Sequence, residues 1–178
     1  MNPIIRFVIT LVSASLASRV GVNDVARIRM RVLPNDLDLN LHMTNARYLA
    51  IFDIAGMEFM IRAGLGRLMV GRGLRPLIGG RMIRHRFGVR AFERFTVSTR
   101  VLCWDDKWFY LDQRMETERG VAAIVLTKGL VRDAARAQTV RPDELLRSLG
   151  VAGEAPSITP EITRWLAAEQ MLRVQDDC

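Results

Sequence analysis

A long, mostly apolar segment at residues 45–63 constrains the fold of this chain more than any other feature. At about 3.6 residues per turn, Arg47, Glu58 and Arg62 collect within an arc of roughly 60° on a helix. The rest of the circumference is apolar or small, apart from Asp53. A helix with so narrow a polar stripe has to be covered on most of its sides. The segment therefore predicts a central helix that other elements enclose.

Three strands in the second half of the chain are suited to enclose that helix. Residues 95–104, 108–117 and 121–132 show strand patterns and are joined by short turns. Long strands joined in this way form an antiparallel meander. Because residues 121–126 are almost continuously apolar, we expect the third strand to lie inside the sheet.

Further elements are predicted on both sides of this meander. Alternating Arg and apolar residues at 26–32 indicate a half-buried strand. The glycine-rich residues 64–80 are expected to form a connection into a strand at about 75–88. A short helix is predicted at 142–149, and a second helix is expected to begin at Pro160.

Residues 3–20 form an apolar segment that Arg6 and Thr10 interrupt. Its uninterrupted apolar run is far shorter than the ~20 residues that span a bilayer. We expect a helix that packs on the domain or lies at a membrane surface, with a spanning anchor or a cleaved leader as weaker alternatives. The chain is accordingly divided into an N-terminal apolar helix at 1–22 and a domain at 23–178.

The composition is that of one globular domain with a strong positive charge. Of the 178 residues, 49% are hydrophobic and 25% are charged, and the net charge is +7. Nearly all basic residues are Arg, whose planar side chain can bond two phosphate oxygens at once. The charge indicates either attraction to polyanionic substrates or an anionic membrane, or an Arg-rich solvated surface without a partner. Because no compact basic run is interleaved with aromatic residues, nucleic-acid binding is not expected.

The two cysteines, Cys103 and Cys178, give neither a disulfide framework nor metal-ligand spacing. This usage fits a reducing compartment such as the cytoplasm. The sequence also contains no serine nucleophile elbow, no phosphate-cradling glycine loop and no zinc-ligand spacing. No metal site and no metal or redox cofactor is therefore predicted.

A cluster of polar residues lies immediately before the central helix. Two Asp, two Asn and one of the chain's two His fall within residues 36–45. Either Thr44 or Asn45 can cap the helix, because a short polar side chain satisfies an otherwise unpaired amide of the first turn. The loop thus brings these polar side chains to a helix N-terminus. Free N–H groups and partial positive charge at that end suit an oxygen that becomes negative during a reaction.

This polar loop resembles a known catalytic motif. It is similar to the Asp-x-Asp-x-x-x-His-x-x-Asn-x-x-Tyr signature of hotdog-fold acyl thioesterases, the 4-hydroxybenzoyl-CoA thioesterase group in particular. Residues 38–42 also resemble the Asp-x-Asn-x-His run of plant acyl-ACP thioesterases. A wider match at 42–49, 84–86 and 104–106 is similar to the thioesterase superfamily member 6 proteins of animals and their bacterial relatives. It extends over roughly residues 26–175.

The resemblance implies an α+β hotdog fold, in which an antiparallel sheet wraps a central helix, here with extra N- and C-terminal helices. It implies hydrolysis of an acyl thioester of coenzyme A or of an acyl carrier protein, within lipid metabolism. Such proteins resemble obligate homodimers, or dimers of dimers, with active sites at the subunit interface. The animal relatives have an N-terminal membrane segment, so the expectation for residues 3–20 includes peripheral contact of a cytoplasmic protein with a membrane.

The resemblance also implies roles for individual residues. Asp38 corresponds to the acid that attacks the thioester carbonyl or activates a water, and the N-terminus of the 45–63 helix would serve as the oxyanion site. Asn40 and His42 would assist the acid. The alternative is that these are turn and structural residues. Leu41 departs from the family pattern, which often has Gly before the His.

Five further residues are candidates for support or binding. We expect Asn45 and Tyr48 to hold the start of the helix, with the Tyr48 hydroxyl bonded locally. Asp53, where many relatives carry Glu, is either functional or paired with an Arg on a neighbouring strand. Arg84 and Arg86 alternate onto one face of their strand and either bind substrate phosphates or form a solvated edge.

Two other functions remain open. Hydratases of the same superfamily resemble Asp-x-Asn-Pro-x-His, and the shorter spacing between Asn40 and His42, without Pro, argues against hydration of an enoyl thioester. A non-catalytic acyl-binding or membrane-associated protein on the same fold is the second alternative, because a fold alone does not fix a function.

Overall fold

A curved antiparallel sheet and a helix lying across its concave face organise the protein. The computed structural model describes residues 3–151 and 155–176. The strands are β1 Ala26–Arg31, β2 Leu74–His85, β3 Arg94–Trp104, β4 Phe109–Thr117, β5 Gly120–Asp133 and β6 Gln138–Val140. The helices are α1 Pro3–Leu16, α2 Asn45–Arg62, α3 Leu65–Arg72, α4 Pro142–Arg147 and α5 Pro160–Asp176.

The strand order is β1-β3-β4-β5-β2, with the short β6 added beside β5. All neighbouring strands run antiparallel. The predicted meander is confirmed as β3-β4-β5, and β5 lies inside the sheet, as its continuous apolar run indicates. Among the described residues, strand β2 has a hydrogen-bonded neighbour on one side only, and so it is an edge strand. The half-buried pattern of β1 is also confirmed.

Helix α2 fills the concave side of the sheet, so the predicted central helix is confirmed. Ile51, Phe52 and Ala55 are buried on its inner face and belong to the same core cluster as Val97 and Met115 of the sheet. Burial of an aliphatic or aromatic side chain contributes about 1.5–3 kcal/mol. The architecture is the α+β hotdog fold expected from the sequence.

Helix α1 covers the side of α2 that the sheet leaves open. The polar stripe of α2 lies beneath this cover, where Glu58 is 6% exposed. Arg62 Nη1 donates to Glu58 Oε1 at 2.8 Å, and Arg62 Nε donates to the Ser18 carbonyl at 2.9 Å. The polar stripe of α2 therefore forms an ion pair beneath a second helix, and this was not foreseen from the sequence.

The orientation of α1 reverses the usual amphipathic pattern. Its buried positions include the polar side chains of Arg6 and Thr10. Its exposed positions are apolar and spaced as on one helical face: Ile5, Val8, Ile9, Val12 and Leu16. Across residues 3–151 and 155–176, no helix has both the length and the apolar character needed to cross a bilayer.

The connection predicted at residues 64–80 does lead into a strand, but it contains a helix that was not predicted. Helix α3 occupies Leu65–Arg72, with Gly64 and Gly73 in left-handed conformations at its two ends (φ 84° and 66°). Strand β2 then begins at Leu74 and ends at His85, slightly before the expected range. The glycines indicated only a connection, whereas two of them cap a short helix. Strand β6 was not predicted.

The C-terminal helices α4 and α5 occur where the sequence predicts them. Proline stands in the first turn of α4 and at the start of α5, where its missing N–H is not needed. Cys103 is a buried free thiol in β3, and Cys178 lies outside the described residues.

The Glu58–Arg62 pair gives a test of the α1 cover. Glu58→Ala leaves the Arg62 guanidinium unpaired beneath α1, so we expect a loss of roughly 3 kcal/mol in the free energy of unfolding. The double variant Glu58→Leu, Arg62→Met removes both charges and should recover most of that loss. Urea unfolding at one protein concentration measures both, and a loss below about 1 kcal/mol in the single variant would contradict a buried pair.

Candidate active site

The loop that precedes α2 is closed on itself by backbone hydrogen bonds. The amide of Asp38 donates to the His42 carbonyl at 2.8 Å, and the amide of Leu41 donates to the Asp38 carbonyl at 3.1 Å. Leu37 and Met43 form an isolated antiparallel bridge at its base. The loop is therefore a fixed turn, so the side chains that it carries have defined positions.

The carboxylate of Asp38 is held by this turn through one of its oxygens. Oδ1 accepts the backbone N–H groups of Asn40 at 2.8 Å and His42 at 3.2 Å. The bond from the His42 amide, followed by that from Asn40, lowers the pKa of the Asp38 carboxyl below its ordinary value. Asp38 is consequently an exposed, ionised and oriented carboxylate at neutral pH.

Leu41 has the backbone conformation that glycine normally supplies. Its φ is 58°, in the left-handed region. The turn therefore keeps the geometry expected with Gly at this position, although Leu carries a cost of about 1–2 kcal/mol there. The side chains of Leu39 and Leu41 both point into solvent from the tip of the turn.

Asp36, the other acid of the motif, is a structural residue. It is 2% exposed. Its Oδ2 accepts a hydrogen bond from Arg6 Nη1 at 2.9 Å and one from the Leu33 amide at 2.9 Å, while Oδ1 lies 3.7 Å from Arg47 Nε. Asp36 thus anchors the turn to α1 and α2 at once.

Thr44, one of the two predicted capping residues, caps the N-terminus of α2. Thr44 has an extended backbone, and its Oγ1 accepts the Arg47 amide at 3.3 Å. Asn45 is already helical and exposed, so it does not act as the cap. Within the described parts of the chain, the amides of Asn45 and Ala46 have no acceptor. Two N–H groups are therefore available at this helix end.

Tyr48 supports the helix start from below, although its hydroxyl is not bonded locally. The side chain is 2% exposed, and its hydroxyl accepts the Val89 amide at 3.0 Å. Burial raises the pKa of Tyr48. Its ring meets the His85 ring edge-on at 4.7 Å between centroids, and partial burial lowers the pKa of His85. Tyr48 therefore connects α2 to the segment after β2.

The remaining candidates lie on α2, at the end of β2 and on the loop before α2. Asp53 is ion-paired with Arg81 of β2. An arginine on a neighbouring strand was one of the two alternatives for Asp53, and the sequence did not identify which arginine. Arg84 and Arg86 are exposed at the end of β2 and just beyond it. His42 is half-buried and forms an isolated bridge with Arg90. No cluster of three potential metal ligands occurs in the ranges 3–151 and 155–176.

An apolar cavity of about 290 Å³ lies between α2 and the sheet. Its wall on α2 includes Phe52, Gly56 and Met57. Polar groups reach it from four residues: Asp53, Arg81, Gln113 and Thr127. The cavity could not be predicted from the sequence, because its lining comes from elements far apart along the chain. The periodicity of α2 assigned these residues to the core and gave no signal for a void.

Residues 32–166 match the family described as the thioesterase-like superfamily. The chain belongs to this superfamily. Protein THEM6 of Xenopus laevis is 34% identical over 151 residues, which cover 81% of this chain and 70% of that protein. Protein THEM6 of Drosophila melanogaster is 28% identical over 177 residues, which cover 96% of this chain and 88% of that protein.

Solved structures with low sequence identity share the fold. Protein SAV2348 from Staphylococcus aureus, solved in complex with CoA, has a TM-score of 0.65 at 16% identity, covering 74% of this chain and 85% of that one. Slr0204, a 1,4-dihydroxy-2-naphthoyl-CoA thioesterase from Synechocystis, has a TM-score of 0.62 at 11% identity, covering 71% and 95%. BH1999, a gentisyl-coenzyme A thioesterase, has a TM-score of 0.62 at 15% identity, covering 68% and 99%.

Proposed function

We propose that this protein hydrolyses acyl thioesters, with coenzyme A or an acyl carrier protein as the thiol component. The observation that carries the proposal is the Asp38 carboxylate, fixed by two backbone N–H groups on a closed turn. That turn leads directly into the N-terminus of α2, where the amides of Asn45 and Ala46 are free in the described structure. Membership of the thioesterase-like superfamily supports the same reaction.

In this mechanism Asp38 attacks the thioester. Both turn amides bond to Oδ1, which leaves the second carboxylate oxygen of Asp38 as the proposed nucleophile. The free carboxylate oxygen bonds to the acyl carbon, and the carbon–sulfur bond breaks to release a thiolate that takes a proton from solvent. Water then cleaves the resulting anhydride, giving the carboxylic acid and restoring Asp38. His42 accepts the proton from that water.

Charge on the carbonyl oxygen would be stabilised by the N-terminus of α2. The amides of Asn45 and Ala46 and the partial positive charge of the helix suit an oxyanion there. Removing one donor of such a site typically slows catalysis by about 10²–10³-fold. Asn40, exposed on the turn, would orient the carbonyl or the attacking water. Arg84 and Arg86 offer exposed positive charge to the phosphates of the thiol component.

The cavity beside α2 supports an aliphatic acyl group. Its volume of about 290 Å³ is that of roughly ten water molecules. The lining is mostly apolar, and Met57, Met60 and Met69 add flexible side chains that adapt to different chains. A long saturated acyl group fits this surface better than a hydroxylated aromatic ring, which needs partners for its hydroxyl groups.

Edge strand β2 supports assembly of two copies into a dimer. It runs for 12 residues, and one of its sides is unpaired in the described part of the chain. Leu77, Ile78 and Met82 are about half exposed along it. A long, apolar, unpaired edge tends to pair with another strand. Pairing of two β2 strands would also bring the exposed Arg84 and Arg86 toward the partner.

Asp38→Asn tests the proposed acid, because it keeps the shape of the side chain and removes its charge. We expect thiol release from acyl-CoA to fall by about 10²-fold or more, with an unchanged melting temperature. Asp106→Asn, an exposed carboxylate in the β3–β4 turn, is the matched control and should keep wild-type activity. A wild-type rate in Asp38→Asn would exclude the proposed role.

Two further readouts separate the neighbouring hypotheses. Hydroxylamine trapping of an acylated Asp38 distinguishes the nucleophile from the general base. A 2-enoyl-CoA that loses its double bond without releasing thiol would identify a hydratase instead.

Gly56 gives a test of the acyl cavity. A Cβ added there makes only an ordinary contact, 3.7 Å from Gln113 Nε2, so a larger side chain can extend into the cavity. We expect the series Gly56→Ala and Gly56→Leu to lower kcat/KM for long acyl chains by about tenfold or more, while short chains are retained. Gly71→Leu on α3, where nothing lies within 4 Å, is the control. Equal losses for all chain lengths would place the acyl group elsewhere.

A second function, contact with a lipid surface, is favoured by the exposed apolar face of α1. Val8, Val12 and Leu16 are 51%, 57% and 84% exposed, on a chain of net charge +7. Apolar side chains on a helix face together with positive charge are typical of interfacial binding to anionic lipid.

The α1 face can be tested by sedimentation with vesicles. We expect the wild type to bind vesicles containing phosphatidylserine more strongly than phosphatidylcholine vesicles, and Val8→Asp, Val12→Asp to lose this binding. Thiol release by the variant should stay at the wild-type rate, because α1 covers the far side of α2. Equal sedimentation of variant and wild type would show that α1 does not contact the lipid.

A further inference from the structure

The ring of His42 lies against the backbone of Gly88 in the segment after β2. A Cβ added at Gly88 would stand 2.7 Å from Cδ2, 3.0 Å from Cγ and 3.3 Å from Cβ of His42. These distances are shorter than ordinary contacts and involve the near part of the side chain as well as the ring. Gly88 is not among the glycines with positive φ. The position therefore requires glycine for space and not for its backbone conformation.

The backbone under the ring is fixed from several directions. The Val89 amide donates to the Tyr48 hydroxyl at 3.0 Å, and the Val89 carbonyl accepts the Met43 amide at 2.9 Å. The Gly88 carbonyl accepts Arg119 Nη2 at 3.0 Å. Gly88 thus cannot retreat from an added methyl group without breaking bonds to the helix and to the motif loop.

Arg119 is itself held in place on the far side of Gly88. Its guanidinium bonds Glu93 through Nε at 2.9 Å and Nη2 at 2.7 Å, and it lies over the Phe87 ring at 4.4 Å. The Glu93 carboxylate raises the pKa of Arg119. This two-point pairing makes Arg119 a rigid support for the Gly88 carbonyl.

The main chain of His42 is fixed as well. Its carbonyl accepts the Asp38 amide, and its own amide donates to the Asp38 carboxylate. Only rotation about the side-chain bonds therefore remains open to the imidazole, and the surface of Gly88 limits that rotation. The same loop that orients the carboxylate also fixes the point from which the ring projects.

We propose that Gly88 is a positioning residue for catalysis, which sets the orientation in which the His42 imidazole exchanges a proton beside Asp38. This inference rests on the proposed thioester hydrolysis for its catalytic meaning. The geometric part, that Gly88 determines where the ring lies, is independent of the reaction. A ring displaced by about 1 Å is enough to slow a positioned proton transfer by on the order of 10²-fold.

The geometric part is tested by NMR, since the chain has only two His. In a 13C–1H spectrum of the imidazoles, His42→Gln and His85→Gln assign the two Cε1–Hε1 signals. We expect Gly88→Ala to shift the His42 signal. The His85 signal should shift no more than it does in the control variant Gly71→Ala, which adds a methyl group in open space. An unmoved His42 signal would overturn the proposal.

Arg119→Gln provides a second variant, needed if Gly88→Ala does not fold. It removes the support of the Gly88 carbonyl and adds no atom beside the ring. We expect the His42 signal to shift or broaden, with a smaller effect than that of the methyl group. A His42 signal identical to that of the wild type in Arg119→Gln would count against the proposal in the same way.

The catalytic part is tested by thiol release from an acyl-CoA. We expect Gly88→Ala to lower kcat by about 10- to 100-fold with KM within about twofold. In the double variant Gly88→Ala, His42→Gln, we expect kcat to lie less than about twofold below that of His42→Gln alone. The reason is that the two residues act as one unit.

The outcomes separate the two proposals. If the wild-type protein releases no thiol from any acyl-CoA or acyl carrier protein, the proposed function fails, while the NMR measurement still decides the position of the ring. If Gly88→Ala slows the His42→Gln variant as much as it slows the wild type, Gly88 does not act through His42 and the positioning role is wrong.

Discussion

The enclosure of α2 is the constraint on which the rest of the structure depends. A helix that is apolar around most of its circumference is stable in water only when its surface is covered. The curved sheet covers one side, and α1 covers the polar stripe with the Glu58–Arg62 pair beneath it. Because α2 cannot shift within this enclosure, its N-terminus is a fixed point. The turn of Asp38 and the segment at 87–90 are both tied to that point.

Two aspartates two positions apart show how this frame divides chemical roles. Asp36 is buried against Arg6 and Arg47, and so its carboxylate holds α1 to the start of α2. Asp38 is exposed and accepts the backbone amides of Asn40 and His42, so its charge remains available. The same side chain is a structural tie in one environment and, in the proposed function, the reactive group in the other. Truncating Asp36 would therefore disturb the site through its frame, while Asp38 can be changed with the frame intact.

Local patterns in the sequence predicted much of the fold. The alternation of β1, the hairpin spacing of β3-β4-β5 and the narrow polar stripe of α2 are properties of single segments, and each was confirmed. The identity of the Asp53 partner, Arg81, depends on contacts between residues distant in the chain, and the sequence left it open. Helix α3 was missed because glycines that cap a helix have the same composition as glycines in a loop. The roles of Asn40 and His42 stay predictions.

The left-handed Leu41 indicates how strongly the frame acts on the site. A leucine in this conformation costs about 1–2 kcal/mol, and its side chain is exposed and gains no burial in return. The turn nevertheless closes, because the bonds between Asp38 and His42, the bridge at Leu37 and the anchored Asp36 all require it. The geometry of the carboxylate is thus determined by backbone contacts. Side chains at the tip of the turn are consequently free to vary, and two exposed leucines there place apolar surface beside the carboxylate where a thioester would approach.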